Sequence, residues 1–253
     1  MKLTNVIASV NNNPNYYMFI PAQIKFWNHF KIKFTAVFVG DSIPSELLEY
    51  SQNIILWNHN LDINTVYVAQ NLRMYFAALL SLPDDELVMI TDMDMLPMSG
   101  SYYTDGLENF TIDDFIYYRN IYNNSQIFMC YNAAHPSLWS RIFSINTTED
   151  IKTQIYENYQ TEHNGIPGST GWCIDQEIMY NKLINYANLH VLERPIRRLE
   201  VYMYKIHLLM KDTNFISQYD DAHFHRSFSD NKMLILDAEN QLKNKKINLF
   251  FGV

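Results

Sequence analysis

Leu87–Pro97 reads LVMITDMDMLP: four apolar residues, a threonine, then Asp92-Met93-Asp94. The apolar run is short and follows the turn-forming Pro83-Asp84-Asp85, which marks a buried strand. An extended backbone through residue 94 would point Asp92 and Asp94 to one face and Met93 to the other. Like charges that close repel unless a cation lies between them. A hard divalent ion such as Mg²⁺ or Mn²⁺ takes oxygen ligands and suits the place. The plainer alternative is a pair of aspartates solvating a strand exit, so the surrounding chain has to decide.

Working backwards, strands alternate with helices. Strands are expected at Leu3–Val10, Lys33–Val39, Asn53–Trp57 and Leu87–Thr91. Between them, Tyr16–Phe30 and Thr65–Leu82 carry apolar residues at helical spacing, and Ser45–Tyr50 is short and helical. Pro21 requires a break or a late start in the first helix. This alternation implies right-handed crossovers and a mostly parallel sheet, with ligands beyond the carboxyl ends of the strands. Asn11–Asn13, Asp41 and Asp92–Asp94 all fall at such ends. The glycine-rich dinucleotide fingerprint and the P-loop are both absent.

Forward of Pro97 the pattern changes. Asp114–Arg119 and Gln126–Tyr131 read as strands, Pro136–Phe143 and Ile151–Gln160 as helices. His163–Gly171 holds three of the seven glycines and reads as a mobile loop. Trp172–Glu177 then opens a helix reaching about Tyr186. Ile206–Asn231 lacks periodicity but contains His207, His223 and His225, and Asp237–Lys246 reads as a surface helix.

Composition narrows the function. The 253 residues suffice for one large domain. A net charge of -8 argues against a broad grip on nucleic acid. Cys130 and Cys173 form no metal-binding or redox motif and fit a reducing compartment such as the cytoplasm. Neither a signal peptide nor an apolar run long enough to span a membrane is evident. Sequons at Asn109, Asn123 and Asn146 are accordingly expected to carry no glycan.

The ordered features resemble those of GT-A-fold glycosyltransferases, and within them small transferases of large DNA viruses. The likeness rests on Ala8-Ser9-Val10-Asn11, Gln70-Asn71-Leu72-Arg73, Asp92-Met93-Asp94, Trp172-x-x-Asp175-Gln176 and the C-terminal histidines, across most of residues 3–230. It departs at His223-Phe224-His225-Arg226-Ser227, which stands where some relatives have His-x-x-Gly-x-x-Lys.

The resemblance implies a single α/β domain with a Rossmann-like, mostly parallel sheet and a smaller acceptor-side sheet. Residues 1–97 would bind nucleotide, 98–230 would face the acceptor and 231–253 would form a tail. The implied partners are a nucleotide-sugar donor, UDP-hexose favoured, and a glycan or glycoconjugate acceptor. Mn²⁺ or Mg²⁺ would be held by Asp94, with Asp92 at the metal shell or ribose, and by His225 or His223. Ser9, Asn11, Asp41, Arg73, Asp92 and Met93 would border the donor. Asp175 would act as general base or as a sugar-binding carboxylate, the alternative being a helix-capping acid. Tyr131, Asn132, His135, Trp172 and Gln176 would line the acceptor side. Arg194, Arg197, Arg198 and Lys205, with Tyr202 and Tyr204, would meet phosphates or a membrane surface, or simply form a solvated face.

Three other readings compete. A haloacid-dehalogenase-like phosphatase also carries Asp-x-Asp after a strand, but nearer the start of the chain and without a Leu at position 96. A nucleotidyltransferase would need a glycine-rich N-terminal loop. A non-catalytic nucleotide- or glycan-binding domain would keep every one of these features.

Overall fold

The computed structural model describes residues 1–58, 62–119, 125–159, 163, 166, 168–186, 188–201, 215–225 and 227–251. β1 (Lys2–Asn11) runs through the middle of a seven-stranded sheet. Its side chains alternate, with Val6, Ala8 and Val10 in one apolar cluster and Ile7 in the other. β2 (Lys33–Val39) and β4 (Glu86–Ile90) repeat the pattern: Phe34, Ala36, Leu87 and Met89 go one way, Val37, Val39, Val88 and Ile90 the other. A strand buried on both faces must be apolar throughout, which is why these segments read as continuous runs.

The strand order is β3-β2-β1-β4-β7-β6-β8, with β3 at Ile54–Trp57, β6 at Phe115–Tyr117, β7 at Asn132–Ala134 and β8 at Leu189–Val191. β3, β2, β1 and β4 are mutually parallel, as the alternation implies. β7 enters antiparallel to both β4 and β6, while β6 and β8 are parallel. A second sheet joins β5 (Met95–Pro97), β10 (Asp221–Phe224) and β9 (Arg198–Val201) in the order β5-β10-β9.

Helices cover both faces of the main sheet. After the short α1 (Pro14–Tyr17), α2 (Ile20–His29) lies on the first apolar cluster with the C-terminal helix Phe228–Phe251 against it. Pro21 sits in the first turn of α2, where its missing N–H costs nothing. α3 (Thr65–Ala77) lies on the second cluster. The brief α4 (Gly100–Thr104) follows β5. α5 (Pro136–Phe143) and α6 (Thr148–Glu157) pack on α3, and α7 (Ile174–Leu183) packs on α5. β2 and β4 thus flank β1 on opposite sides. That is the arrangement that opens a crevice at the carboxyl ends of the strands.

Several sequence expectations shift. α3 stops at Ala77, and Leu79, Leu80 and Leu82 cover the second cluster without helical backbone. Residues 45–53 form 3₁₀ turns. α6 begins at Thr148 because Thr147 and Asp150 form a reciprocal capping box. Gln126–Tyr131 is not a strand; β7 starts at Asn132 instead. Ile127, Met129 and Cys130 are buried while Phe128 is exposed, an alternation that imitates a strand. The backbone there is tied elsewhere: the Ile127 amide donates to the Gln176 carbonyl at 3.2 Å. Tyr202, Tyr204, Lys205, His207, Arg226 and the Asn123 sequon lie outside the described residues.

Candidate active site

β4 ends at Ile90, and Asp92–Asp94 form a turn rather than continued strand, with the Met95 amide donating to the Asp92 carbonyl at 3.3 Å. Met93 turns into the first apolar cluster. Beneath the turn lies Gln23 of α2, fully buried. Its amide nitrogen donates to the carbonyls of Met93 at 2.7 Å and Met95 at 2.8 Å, and its oxygen accepts from the Trp27 indole at 2.9 Å. A core side chain therefore fixes the turn that presents both aspartates to a cleft of about 480 Å³.

Arg73 forms the floor of that cleft. It is buried in spite of its charge. One guanidinium nitrogen bonds Asp92 and the Thr91 carbonyl; the other donates to Asp175 Oδ2 at 2.8 Å. Asp175 stands in the first turn of α7, 2% exposed, and its Oδ1 accepts from the Gln176 amide at 2.9 Å. Burial alone would raise Asp92, but the Arg73 guanidinium outweighs it and leaves the carboxyl below its ordinary value. Burial wins at Asp175, which is raised despite Arg73. Ser9 Oγ accepts from the Arg73 amide at 3.1 Å, and Asn11 donates to Thr65 Oγ1 at 3.1 Å, so the end of β1 is tied to α3.

The second sheet builds the opposite wall. β9 and β10 are parallel with Glu200 directly beside His223, and the Phe224 amide donates to the Asp94 carbonyl at 3.0 Å. His223 Nε2 lies 3.5 Å from Asp94 Oδ2, and its Nδ1 lies 3.0 Å from Glu200 Oε2. His225 Nε2 reaches the same Glu200 oxygen at 2.6 Å. Glu200, His223 and His225 offer donor atoms within 4.8 Å of one another. Burial would lower His223, but hydrogen bonds and charge from Asp94 and Glu200 push it up to about 10. Against its own burial, Glu200 is held down to about 2 by His223, His225 and Arg198. Arg198 enters the cleft beside them, anchored on Asp221 Oδ2 at 3.2 Å.

One cleft thus receives Ser9, Asn11, Arg73, Asp92, Met93, Asp94, Trp172, Asp175, Gln176, His223 and His225. Four expected residues lie elsewhere. Asp41 is exposed and does not line the cleft. Tyr131 is buried among Tyr103 and Tyr118, its hydroxyl donating to Asp221 at 2.8 Å. Asn132 is enclosed in β7, donating to the Phe128 carbonyl at 2.7 Å. His135 caps α5, accepting from the Ser137 amide at 3.2 Å. All three follow from the late start of β7, which takes this segment into the core while Phe128, Met129 and Cys130 face the cleft. The proposed basic face is largely paired: Arg197 with Asp220 and Arg198 with Asp221. Glu200 and Gln23 escape the sequence reading. The alternation Arg198-x-Glu200 opposite Asp221-x-His223 is the only signal for Glu200, and it needs the strand pairing to be seen.

Neither a protein-family model nor a curated protein matches the chain. Solved structures do. The glycosyltransferase GlyE of Streptococcus pneumoniae superposes with a TM-score of 0.53 at 12% identity, over 96% of this chain and 63% of that one. The galactosyltransferase LgtC, in complex with donor and acceptor sugar analogs, gives 0.46 at 11% identity, covering 94% and 95%. A glycosyltransferase involved in glycosylation of the PBCV-1 major capsid gives 0.44 at 9% identity, covering 95% and 98%. The likeness to GlyE establishes the fold: a mostly parallel sheet flanked by helices with a small second sheet, the GT-A arrangement.

Proposed function

We propose that the chain is a metal-dependent glycosyltransferase that moves a hexose from a nucleotide-diphosphate sugar, UDP-hexose favoured, to a hydroxyl of a glycan or glycoconjugate. One observation carries this reading. On a GT-A fold, a single cleft at the strand ends joins a carboxylate–imidazole cluster to the Arg73 bridge between Asp92 and Asp175.

The donor set fits a divalent ion. Asp94 and one of the two histidines, His223 or His225, combine carboxylate oxygen with imidazole nitrogen, which favours Mn²⁺ over Mg²⁺. Such an ion would supply Lewis-acid stabilisation of the diphosphate leaving group. Asp92 is already neutralised by Arg73, so Asp94 is the firmer ligand and Asp92 the shell or ribose contact. Arg73 and Arg198 enter the cleft already paired with carboxylates, so in a chain of net charge -8 a diphosphate would rely on the ion for its countercharge. Both Asp175 oxygens already accept hydrogen bonds, from Arg73 and the Gln176 amide. Burial nonetheless raises this carboxyl, so Asp175 serves either as a general base or as the carboxylate that stabilises positive charge at the sugar. Trp172 and Gln176 border the space left for the acceptor, now with Phe128 in place of Tyr131, Asn132 and His135. The capture of Asp92 by Arg73 disfavours a phosphatase, whose first aspartate must be free to attack phosphorus. Among the described residues no helix is long and apolar enough to cross a membrane, and both cysteines are unpaired, which fits a reducing compartment such as the cytoplasm.

UDP release from a panel of UDP-hexoses with Mn²⁺ tests the reading. Release by the wild type that falls roughly 100-fold or more in Asp94→Ala, with the fold retained, supports it. Unchanged release in that variant removes the metal role, and no release from any nucleotide sugar removes the reading.

A further inference from the structure

Two histidines compete for the metal, and their surroundings are unequal. His223 is held at both ring nitrogens: Nδ1 is 3.0 Å from Glu200 Oε2 and Nε2 is 3.5 Å from Asp94 Oδ2. Two donors about 2.1 Å from one ion, at angles between square and tetrahedral, stand roughly 3.0–3.4 Å apart. The gap between His223 Nε2 and Asp94 Oδ2 is therefore close to that of two ligands of one ion. The contacts of Glu200 are of another kind. A single oxygen meets His225 at 2.6 Å, too close for two ligands of one ion and a hydrogen-bond length, and the same oxygen takes His223 by the ring nitrogen turned away from Asp94, at 3.0 Å. The two imidazole rings touch at a tilt of 46° with centroids 3.9 Å apart.

We propose that Glu200 is a positioning residue for the metal. It accepts the Nδ1–H of His223, so that once an incoming ion displaces the Nε2 proton the freed lone pair faces Asp94, and His223 rather than His225 meets the ion. A carboxylate on the outer nitrogen fixes tautomer and ring orientation and raises ligand basicity. The pairing is built in by the parallel register, which sets Glu200 beside His223. Arg198, 3.8 Å from the other Glu200 oxygen, keeps that carboxylate turned toward the histidines. His225 then steadies the Glu200 oxygen and the His223 ring. The inference deepens the metal-dependent reading above and rests on it only for the presence of a divalent ion.

Mn²⁺ binding to the full chain, without nucleotide, is measured by the loss of the free-ion electron paramagnetic resonance signal. Glu200→Ala should weaken it about 10–100-fold. Glu200→Gln, which keeps an acceptor oxygen, should recover part of the loss. His223→Ala should lose far more than His225→Ala. With diamagnetic Zn²⁺, long-range ¹H–¹⁵N spectra should place the His223 proton on Nδ1 and the metal shift on Nε2. Circular dichroism should show native helix content in every variant. Mn²⁺ binding indifferent to Glu200→Ala overturns the proposal, as does an equal loss in His223→Ala and His225→Ala. Mn²⁺ binding with the expected ranking but no nucleotide-sugar binding would retain this inference and remove the transferase reading. Metal-dependent nucleotide binding that ignores Glu200 would do the reverse.

Discussion

Arg73 is the residue on which the cleft turns. It is buried, and its guanidinium bridges Asp92 and Asp175. Removing one partner of a buried ion pair leaves an uncompensated charge, at a cost of about 3–5 kcal/mol. Arg73→Ala should therefore lower stability by about that amount in urea unfolding, and a loss under 1 kcal/mol would show that the bridge is not a structural element. Arg73→Lys should recover little, because an ammonium cannot reproduce a planar fork to two carboxylates. His163 offers a pH test. Its Nε2 meets Gln70 Oε1 at 2.7 Å beside the cleft, and burial holds the imidazole below its ordinary value of 6.5. The unfolded chain binds that proton more tightly. The contribution of His163 is thus complete above about pH 6.5 and lost as pH falls through the lower folded value. Between pH 7 and pH 5 the wild type should lose more Tm than His163→Gln; equal losses would contradict this. At this scale Asp92 and Asp94 were legible from their place after a strand, while Arg73 and Asp175 entered only through the resemblance and Arg198 was expected on a solvated face. Glu200 was not legible, because its partner lies 23 residues away in sequence and meets it only through strand pairing.

Among the elements, α2 does more than cover the sheet. Through Gln23 it holds the carbonyls on both sides of Asp94. Gln23→Leu strands those acceptors and the Trp27 N–H in the core, so a loss of about 2–3 kcal/mol is expected in denaturant unfolding. The same variant should weaken Mn²⁺ binding by letting the turn relax; unaltered stability and affinity would show the contact to be dispensable. The capping box of α6 is a smaller case: Thr147→Ala should cost about 1 kcal/mol. The strands and long helices around Asp92 were legible because their apolar periods are set locally. The segment 126–134 was not. Its apolar residues Phe128, Met129 and Cys130 face the cleft in succession, with backbone partners supplied by α7 and by β4. Tyr131, Asn132 and His135 lie in the core because β7 starts late, at Asn132.

At the scale of the molecule, the parallel run of β1 to β4 and a crevice at its carboxyl ends were legible from alternation, but the order β3-β2-β1-β4 was not. The antiparallel entry of β7 and the pairing of β5, β10 and β9 were not, since they are contacts between distant segments without a local signature. Those long-range pairings complete the cleft: they bring Glu200, His223 and His225 to face Asp94 across from Arg73 and Asp175. The central claim is that this cleft binds a nucleoside diphosphate through a divalent ion. Isothermal titration of UDP into the wild-type protein, with and without Mn²⁺, measures that directly. Binding that requires Mn²⁺ and is lost in Asp94→Ala is the predicted result; no binding under either condition, or binding indifferent to the metal, would contradict it.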